Sequence, residues 1–285
     1  MAIQFKAKNH KYESIDSEKK KIEWISTTSV IGFFKPPFDK YKQAKKSAKN
    51  KRSKWYGLTE EEILAAWDGE NKRAITLGSW YHDEREKELL ACDSVQRSGV
   101  DLQIIRPIEQ DGVKLSPDQN LIPAIYPEHM CYLKSAGICG QADRVEVVNG
   151  LVDIFDYKTN KAIRLESYKN WEGKSEKMHA PLQHLDNCNF NHYALQLSIY
   201  MYIILKHNHT LKPGKMELHH IEFQLEEETN KYGYPIVSTD AAGDPIVKKV
   251  VPYKVPYLKK EVNNIIKYMK MHPDKIKKHL NKKYD

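Results

Sequence analysis

Four cysteines in 285 residues are too few for a disulfide scaffold. No CxxC pair or compact third ligand accompanies His207-x-His209 or His219-His220, so these are expected to be surface histidines and not a zinc site. Long hydrophobic runs are missing too. The longest, Leu197–Leu205, is interrupted by Ser198 and falls far short of the roughly 18 residues of a membrane span. Residues 1–13 hold no apolar signal-peptide core. No GxxxxGK(S/T) phosphate loop is present, which argues against an intrinsic ATPase or helicase motor. There is no internal repeat and no low-complexity linker. What is present, 40% hydrophobic and 10% aromatic residues, suits a soluble, intracellular, globular protein with a substantial core.

Charge is abundant but uneven. The formal net charge is +8, yet residues 1–60 carry 15 Lys/Arg against 6 Asp/Glu, and residues 251–285 carry 10 against 3. The middle is therefore acidic, with 21 against 29. Basic ends attract polyanions, because neutralising phosphates releases condensed counterions. Solvated lysine-rich helix faces are the other reading of the same charge.

The pattern along the chain predicts helices, then a sheet, then a helix and strands: an α/β chain with helical additions. Short strands are expected at Tyr12 and Ile22–Ile25 around a charged turn, and N-cap residues at Ser26–Ser29 before a short helix that Pro36-Pro37 ends. A lysine-rich helix is expected from Phe38 to Tyr56, closed by Gly57. Thr59 should cap a helix towards Trp67, and a separate helix should run from Ala74 to Cys92. Leu102–Tyr157 reads as β-rich, 160–187 as polar and irregular, and Phe190–His207 as an apolar helix. Met216–Leu225 and Val247–Tyr253 read as strands, and Pro256 as the start of one long basic helix.

The informative segment is Gly140–Thr159. Asn149-Gly150 between Val145, Val147, Val148 and Leu151, Val152, Ile154, Phe155 is a strong two-residue hairpin signal. That loop pairs Val148 with Leu151, and the same register sets Asp143 across from Asp156 on one face. Directly opposed like charges are destabilising. A divalent cation is the simplest reason for them, and oxygen ligands favour Mg²⁺ or Mn²⁺. Lys158 projects from the face of Asp156, where it can orient or deprotonate a water and support charge on a phosphate. The other reading is a surface hairpin with both carboxylates in solvent, bridged by Lys158. Asp153 falls on the opposite face and reads as a surface charge.

With these residues the chain resembles the PD-(D/E)xK nucleases. Asp143 followed by Asp156-Tyr157-Lys158 is similar to their core, and Gly140-Gln-Ala-Asp143 stands where the proline-containing motif would be, like the GxxD variant of the RecB-type branch. Gly78-Ser-Trp-Tyr-His82-Asp-Glu-Arg-Glu86 resembles the branch's GxxxHxxxE helix motif; His82 and Glu86 share a helix face. Gln196-Leu-Ser-Ile-Tyr200 resembles its QxxxY motif. All occur in family order over residues 78–200. Ile22–Phe38, with its Thr/Ser-rich helix start, resembles phage-type and mitochondrial genome-maintenance exonucleases of the branch. The resemblance implies a restriction-endonuclease-like α/β core, a mixed β-sheet flanked by helices, with N-terminal helical additions. The whole chain, 1–285, is then one nuclease domain: residues 1–73 form an N-terminal helical, DNA-guiding region, 74–225 a catalytic core, and 226–285 a strand and a basic helix.

It further implies Mg²⁺- or Mn²⁺-dependent hydrolysis of DNA, with His82, Asp143, Asp156 and the Tyr157 carbonyl around the metal and Lys158, Gln196 and Tyr200 aiding catalysis. Glu128, on the strand-like segment Glu128–Leu133, is a further metal-site candidate. Some relatives hold an iron–sulfur cluster through cysteines near the C-terminus. Here none follows Cys188, so no cluster is expected, and Cys131 and Cys139 read as small hydrophobes in strands. Candidate DNA contacts are Thr28, Lys42, Lys45 and Lys46, Trp80 as a base-stacking residue beside Tyr81, and Thr159 and Lys161. The expected activity is that of an exonuclease on DNA ends or single strands, in replication, recombination or repair and with replication or recombination proteins as conceivable partners. A flap or structure-specific endonuclease and a non-catalytic DNA-binding recombination protein are the alternatives. A bacterial or phage-encoded cytoplasmic protein is the expected setting.

Overall fold

The computed structural model describes residues 3–6, 11–15 and 22–284. Its elements are β1 (Ile3–Lys6), β2 (Lys11–Ser14), β3 (Ile25–Ser26), α1 (Thr27–Phe33), α2 (Lys40–Lys49), α3 (Glu60–Leu90), β4 (Ser94–Arg97), β5 (Val100–Gln103), β6 (Ile108–Gln110), β7 (Val113–Leu115), β8 (Ala124–Leu133), β9 (Ile138–Val148), β10 (Leu151–Lys158), α4 (Asn189–His207), β11 (Lys212–Phe223), β12 (Leu225–Thr229), β13 (Pro235–Val237), β14 (Val247–Lys254), α5 (Lys259–Met271) and α6 (Pro273–Tyr284).

The central sheet runs β14-β11-β10-β9-β3, with β8 on β9. It is mixed: β8, β9 and β10 are antiparallel, β10 and β11 parallel, β11 and β14 antiparallel. The parallel pair requires a crossover, and 160–188 with α4 supplies it. On one face α4, α1 and α5 bury Leu195, Leu197, Ile199, Val30 and Ile265 against Val145, Val147, Val152, Ile154 and Leu218. On the other, α3 packs Tyr81 against Tyr157, Ile221 and Phe223. Smaller sheets, β2-β1-β7-β6, β12-β13 and β4-β5, surround this α/β core.

Several expectations change. Thr59 and Glu62 form the anticipated N-terminal cap, but the helix does not stop near Trp67; α3 is continuous for 31 residues, through the anticipated boundary at 73/74. Strands β2 and β3 lie where short strands are expected in the N-terminal region, β1 is an additional one, and β14 of the C-terminal region belongs to the central sheet. Tyr12 lies in β2 and Ile25 in β3, in different sheets; most of the charged turn lies outside the described residues. The lysine-rich helix ends at Lys49, and the final basic helix is two, α5 and α6. Among the described residues no helix is long and apolar enough to cross a membrane.

Candidate metal centre

The Asn149-Gly150 hairpin sets the register anticipated for it, from Leu151↔Val148 to Phe155↔Arg144. The paired ladder ends there; Asp156 and Asp143 are the next residues of the two strands. On the other edge of β9, Pro127↔Arg144 and His129↔Ala142 bracket Glu128 opposite the same Asp143. Glu128 and Asp143 therefore face each other across β8 and β9, and Asp156 follows directly after the last paired residue of β10.

The sheet is irregular at this level. Core-facing residues of β8 are Ala124 and Tyr126 before it but Cys131 and Leu133 after it; in β9 they are Ile138 and Ala142 before it but Val145 and Val147 after it. Both steps are odd, so both strands exchange faces where the period of two should continue. Glu128 carries the change with φ of 48°, a left-handed conformation that is costly for a residue with a Cβ. The ladder also opens here: β3 pairs β9 up to Cys139, β10 pairs it from Arg144, and Asp143 Oδ2 instead accepts the Tyr157 amide at 2.7 Å.

Helix α3 brings His82 to this opening. His82 Nδ1 lies 3.5 Å from Asp143 Oδ1 and 3.9 Å from Glu128 Oε1, and Nε2 lies 3.2 Å from the Tyr157 carbonyl oxygen. Tyr81 stacks edge-on to Tyr157 with centroids 5.5 Å apart, and a Cβ at Gly78 would come within 3.3 Å of Thr159 Oγ1. The glycine thus lets α3 lie close against the end of β10. Gln141 donates from Nε2 to Glu128 Oε2 and holds that carboxylate in place. Glu86 does not join His82; it pairs with Lys114 at 3.4 Å.

His82, Glu128 and Asp143 each offer a ligand atom within 4.8 Å of the others, so the trio could hold a metal ion. Asp156 is outside that group. It is buried, Oδ1 has no hydrogen-bond partner among the described residues, and Oδ2 meets the Lys158 ammonium. A buried carboxylate with an unused oxygen is costly unless a cation is at hand. The unused oxygen of Asp156 leaves room for a cation beside the trio.

The charges report the same tension. Burial first, and then Asp156, pushes the Asp143 carboxyl up to about 8, against the pull of His82 and Lys158. Burial alone would lower His82, but Asp143 and Glu128 outweigh it and hold the imidazole up at about 9. Burial likewise opposes the Lys158 ammonium, and Asp156 and Asp143 reverse its effect, so the pKa lies above the ordinary lysine value. These two carboxylates thus favour the ammonium form of Lys158, which can support negative charge.

The motif residues on α4 hydrogen-bond to each other and pack under the sheet. Gln196 donates to the Tyr200 hydroxyl at 3.1 Å, and Tyr200 is buried beside Gly140, where a Cβ would fall 2.6 Å from Tyr200 Cε1. They brace the strand that carries Asp143. The residue that reaches Lys158 is Tyr193, its ring centroid 4.9 Å from Nζ and its hydroxyl donating to Asn160 Oδ1 at 2.6 Å. Tyr193, Gln141 and Asn160 are site residues that the sequence reading does not single out. Tyr193 was detectable as the residue three before Gln196 and seven before Tyr200 on one helix face.

The anticipated DNA contacts divide. Lys42, Lys45 and Lys46 are exposed on α2, and Thr28 is exposed on the first turn of α1. Trp80 is partly buried against Phe223 and donates to Asp244 at 3.1 Å, and Tyr81 is core, so they do not form an open stacking pair. Thr159 sits against α3, and Lys161 is held by Glu70 at 2.7 Å. Asp153 is not a surface charge: it is buried and accepts the Lys215 amide at 2.6 Å. His220 is buried and not at the surface, its Nε2 lying 2.6 Å from the Asn160 carbonyl oxygen; His207 Nε2 lies 2.9 Å from that of Tyr132. Cys131 and Cys139 are buried in β8 and β9, as small hydrophobes should be.

No family model matches this sequence, and no curated protein matches it. A solved structure, the crystal structure of SSO0001, aligns at 15% identity and a TM-score of 0.30, covering 90% of this chain and 79% of that one. A likeness at that level carries no argument about this chain.

Proposed function

We propose that the chain is a divalent-metal-dependent DNA nuclease with a PD-(D/E)xK core of the RecB-like type, acting as an exonuclease on DNA ends or single strands in replication, recombination or repair. The observation that carries this reading is the carboxylate set Glu128, Asp143 and Asp156, roofed by His82 and flanked by Lys158, at the level where β8 and β9 exchange faces. A surface hairpin with solvated carboxylates is not what this set looks like, since Asp156 is buried and Asp143 is enclosed by His82, Lys158 and the Tyr157 amide.

His82, Glu128 and Asp143 would hold the ion, with the unused oxygen of Asp156 beside them. Oxygen donors with a single imidazole suit Mn²⁺ as well as Mg²⁺. Such an ion, when bound, lowers the pKa of water and stabilises charge on phosphoryl oxygens. The chain's own contributions are then distinct. Lys158, kept protonated by its carboxylate neighbours, supports negative charge developing on the phosphate. Tyr193 and Asp156 fix its ammonium, and Gln141 fixes Glu128.

The test is end-labelled linear DNA, single- and double-stranded, incubated with Mg²⁺ or Mn²⁺ or with EDTA. Wild type should degrade it only with a metal. Asp143→Asn and Lys158→Ala should each lose at least 100-fold in rate, roughly the range seen when one positioned electrostatic group is removed. Absence of degradation with either ion would sink the enzyme reading and leave a DNA-binding protein. Cutting of covalently closed circles would make it an endonuclease on the same core.

A further inference from the structure

Immediately beyond Lys158 the chain opens a cleft of about 580 Å³ between α3, the end of β10 and the β11–β12 turn. Its wall is mixed in a particular way. Leu77, Phe223 and Leu225 give apolar surface, Asn160 and Gln224 carry side-chain amides, Arg73, Lys161 and Lys248 bring cations to it, and Glu222 brings one carboxylate. The volume is that of a small-molecule site, within the usual range of about 300–1,000 Å³. Apolar surface, donor–acceptor amides and cations together match an aromatic heterocycle joined to a phosphate.

The cleft is coupled to the metal centre through one residue. Asn160 lines it, accepts the Tyr193 hydroxyl, and through Tyr193 adjoins the Lys158 ammonium. Its backbone oxygen lies 2.6 Å from Nε2 of the buried His220, which holds that wall in place. On the opposite wall Arg73 is fixed by two hydrogen bonds to Glu70, which also takes Lys161. With Lys248, three cations face the two carboxylates Glu70 and Glu222.

We propose that this cleft receives the unstacked nucleobase next to the scissile phosphate, so that the substrate is a single strand or a frayed end and not a paired duplex. The inference rests on the nuclease reading and sharpens its substrate. A base held in a duplex stack cannot enter a walled cleft without unpairing, which costs a few kcal/mol.

The test uses wild-type protein and a set of single-stranded oligonucleotides, each with one abasic site moved a nucleotide at a time from the end, and a fully paired blunt duplex. Loss of base contact is worth roughly 5- to 150-fold, so kcat/KM for release of the adjacent nucleotide should fall by that factor at one position and hardly elsewhere. The duplex should be degraded more slowly than the single strand. In Leu225→Trp, which fills the cleft from a half-exposed position, the abasic penalty should shrink towards unity. Equal rates across the whole abasic series, or an unchanged penalty in Leu225→Trp, would overturn the base site while leaving the nuclease standing. Wild type that degrades no DNA with Mg²⁺ or Mn²⁺ removes both.

Discussion

At the residue scale, Glu128 is the most exposed to a clean experiment. Its positive φ is one that glycine adopts without penalty, so its carboxylate is kept at some conformational cost. Glu128→Gly should therefore fold as stably as wild type, or gain up to about 1 kcal/mol. It should also lose most of the rise in melting temperature that Mn²⁺ gives wild type, because a ligand stabilises only the state that binds it. Calorimetry with and without Mn²⁺ reads both. A second residue gives a pH signature away from the metal. Burial, and then Lys35, draws the His192 pKa down to about 4, with Nε2 2.8 Å from Asn187 Oδ1. A histidine whose folded pKa is depressed adds stability above its unfolded value near 6.5 and loses it as pH falls through about 4. His192→Gln should flatten the urea midpoint over that interval; an unchanged slope would assign acid sensitivity elsewhere. The residues legible in sequence were those whose spacing fixes geometry: Asp143 and Asp156 by hairpin register, Lys158 by alternation. Tyr193 and Gln141 were not, because their roles depend on which element packs against which.

At the element scale, the sheet was legible and the helices less so. Asn149-Gly150 fixes a register that propagates to every pair of the hairpin, whereas a helix boundary rests on local propensity. The expected helices leave residues 68–73 between them. Glu70–Arg73 pairing and packing of Ile63 and Ala66 on Ala44 and Trp55 hold α3 together through this stretch. Pattern alone also misplaced Asp153, because β11 supplies a glycine where it needs room. A Cβ at Gly214 would fall 2.0 Å from Asp153 Oδ1 and 2.9 Å from the Val152 carbonyl oxygen. Gly214→Ala should cost about 1–3 kcal/mol, the usual range for overpacking, measured as a lowered denaturation midpoint. No cost would mean that β10 and β11 shift apart without penalty.

At the scale of the whole molecule, the charge asymmetry acquires a direction. The basic N-terminal region presents Lys42, Lys45 and Lys46 at one end of α3, and the acidic middle supplies the carboxylate row met by the other. Phosphate contacts on single strands contribute a salt slope of about 0.7 each. Replacing all three lysines by glutamine should lower the slope of log K against log salt by about 2, in fluorescence-anisotropy titrations with a catalytically silent Asp143→Asn background. An unchanged slope would make these lysines a solvated face only.

Because α3 runs unbroken, it also sets a length. From Ala66, against which α2 packs, to His82 the helix rises about 24 Å at 1.5 Å per residue. At about 3.4 Å per nucleotide, that distance is about seven nucleotides of stacked strand. The helix is in this sense a ruler. On the proposed nuclease reading, oligonucleotides shorter than about seven should reach the lysines or the carboxylate row but not both. Affinity should climb with length up to that point and then level off.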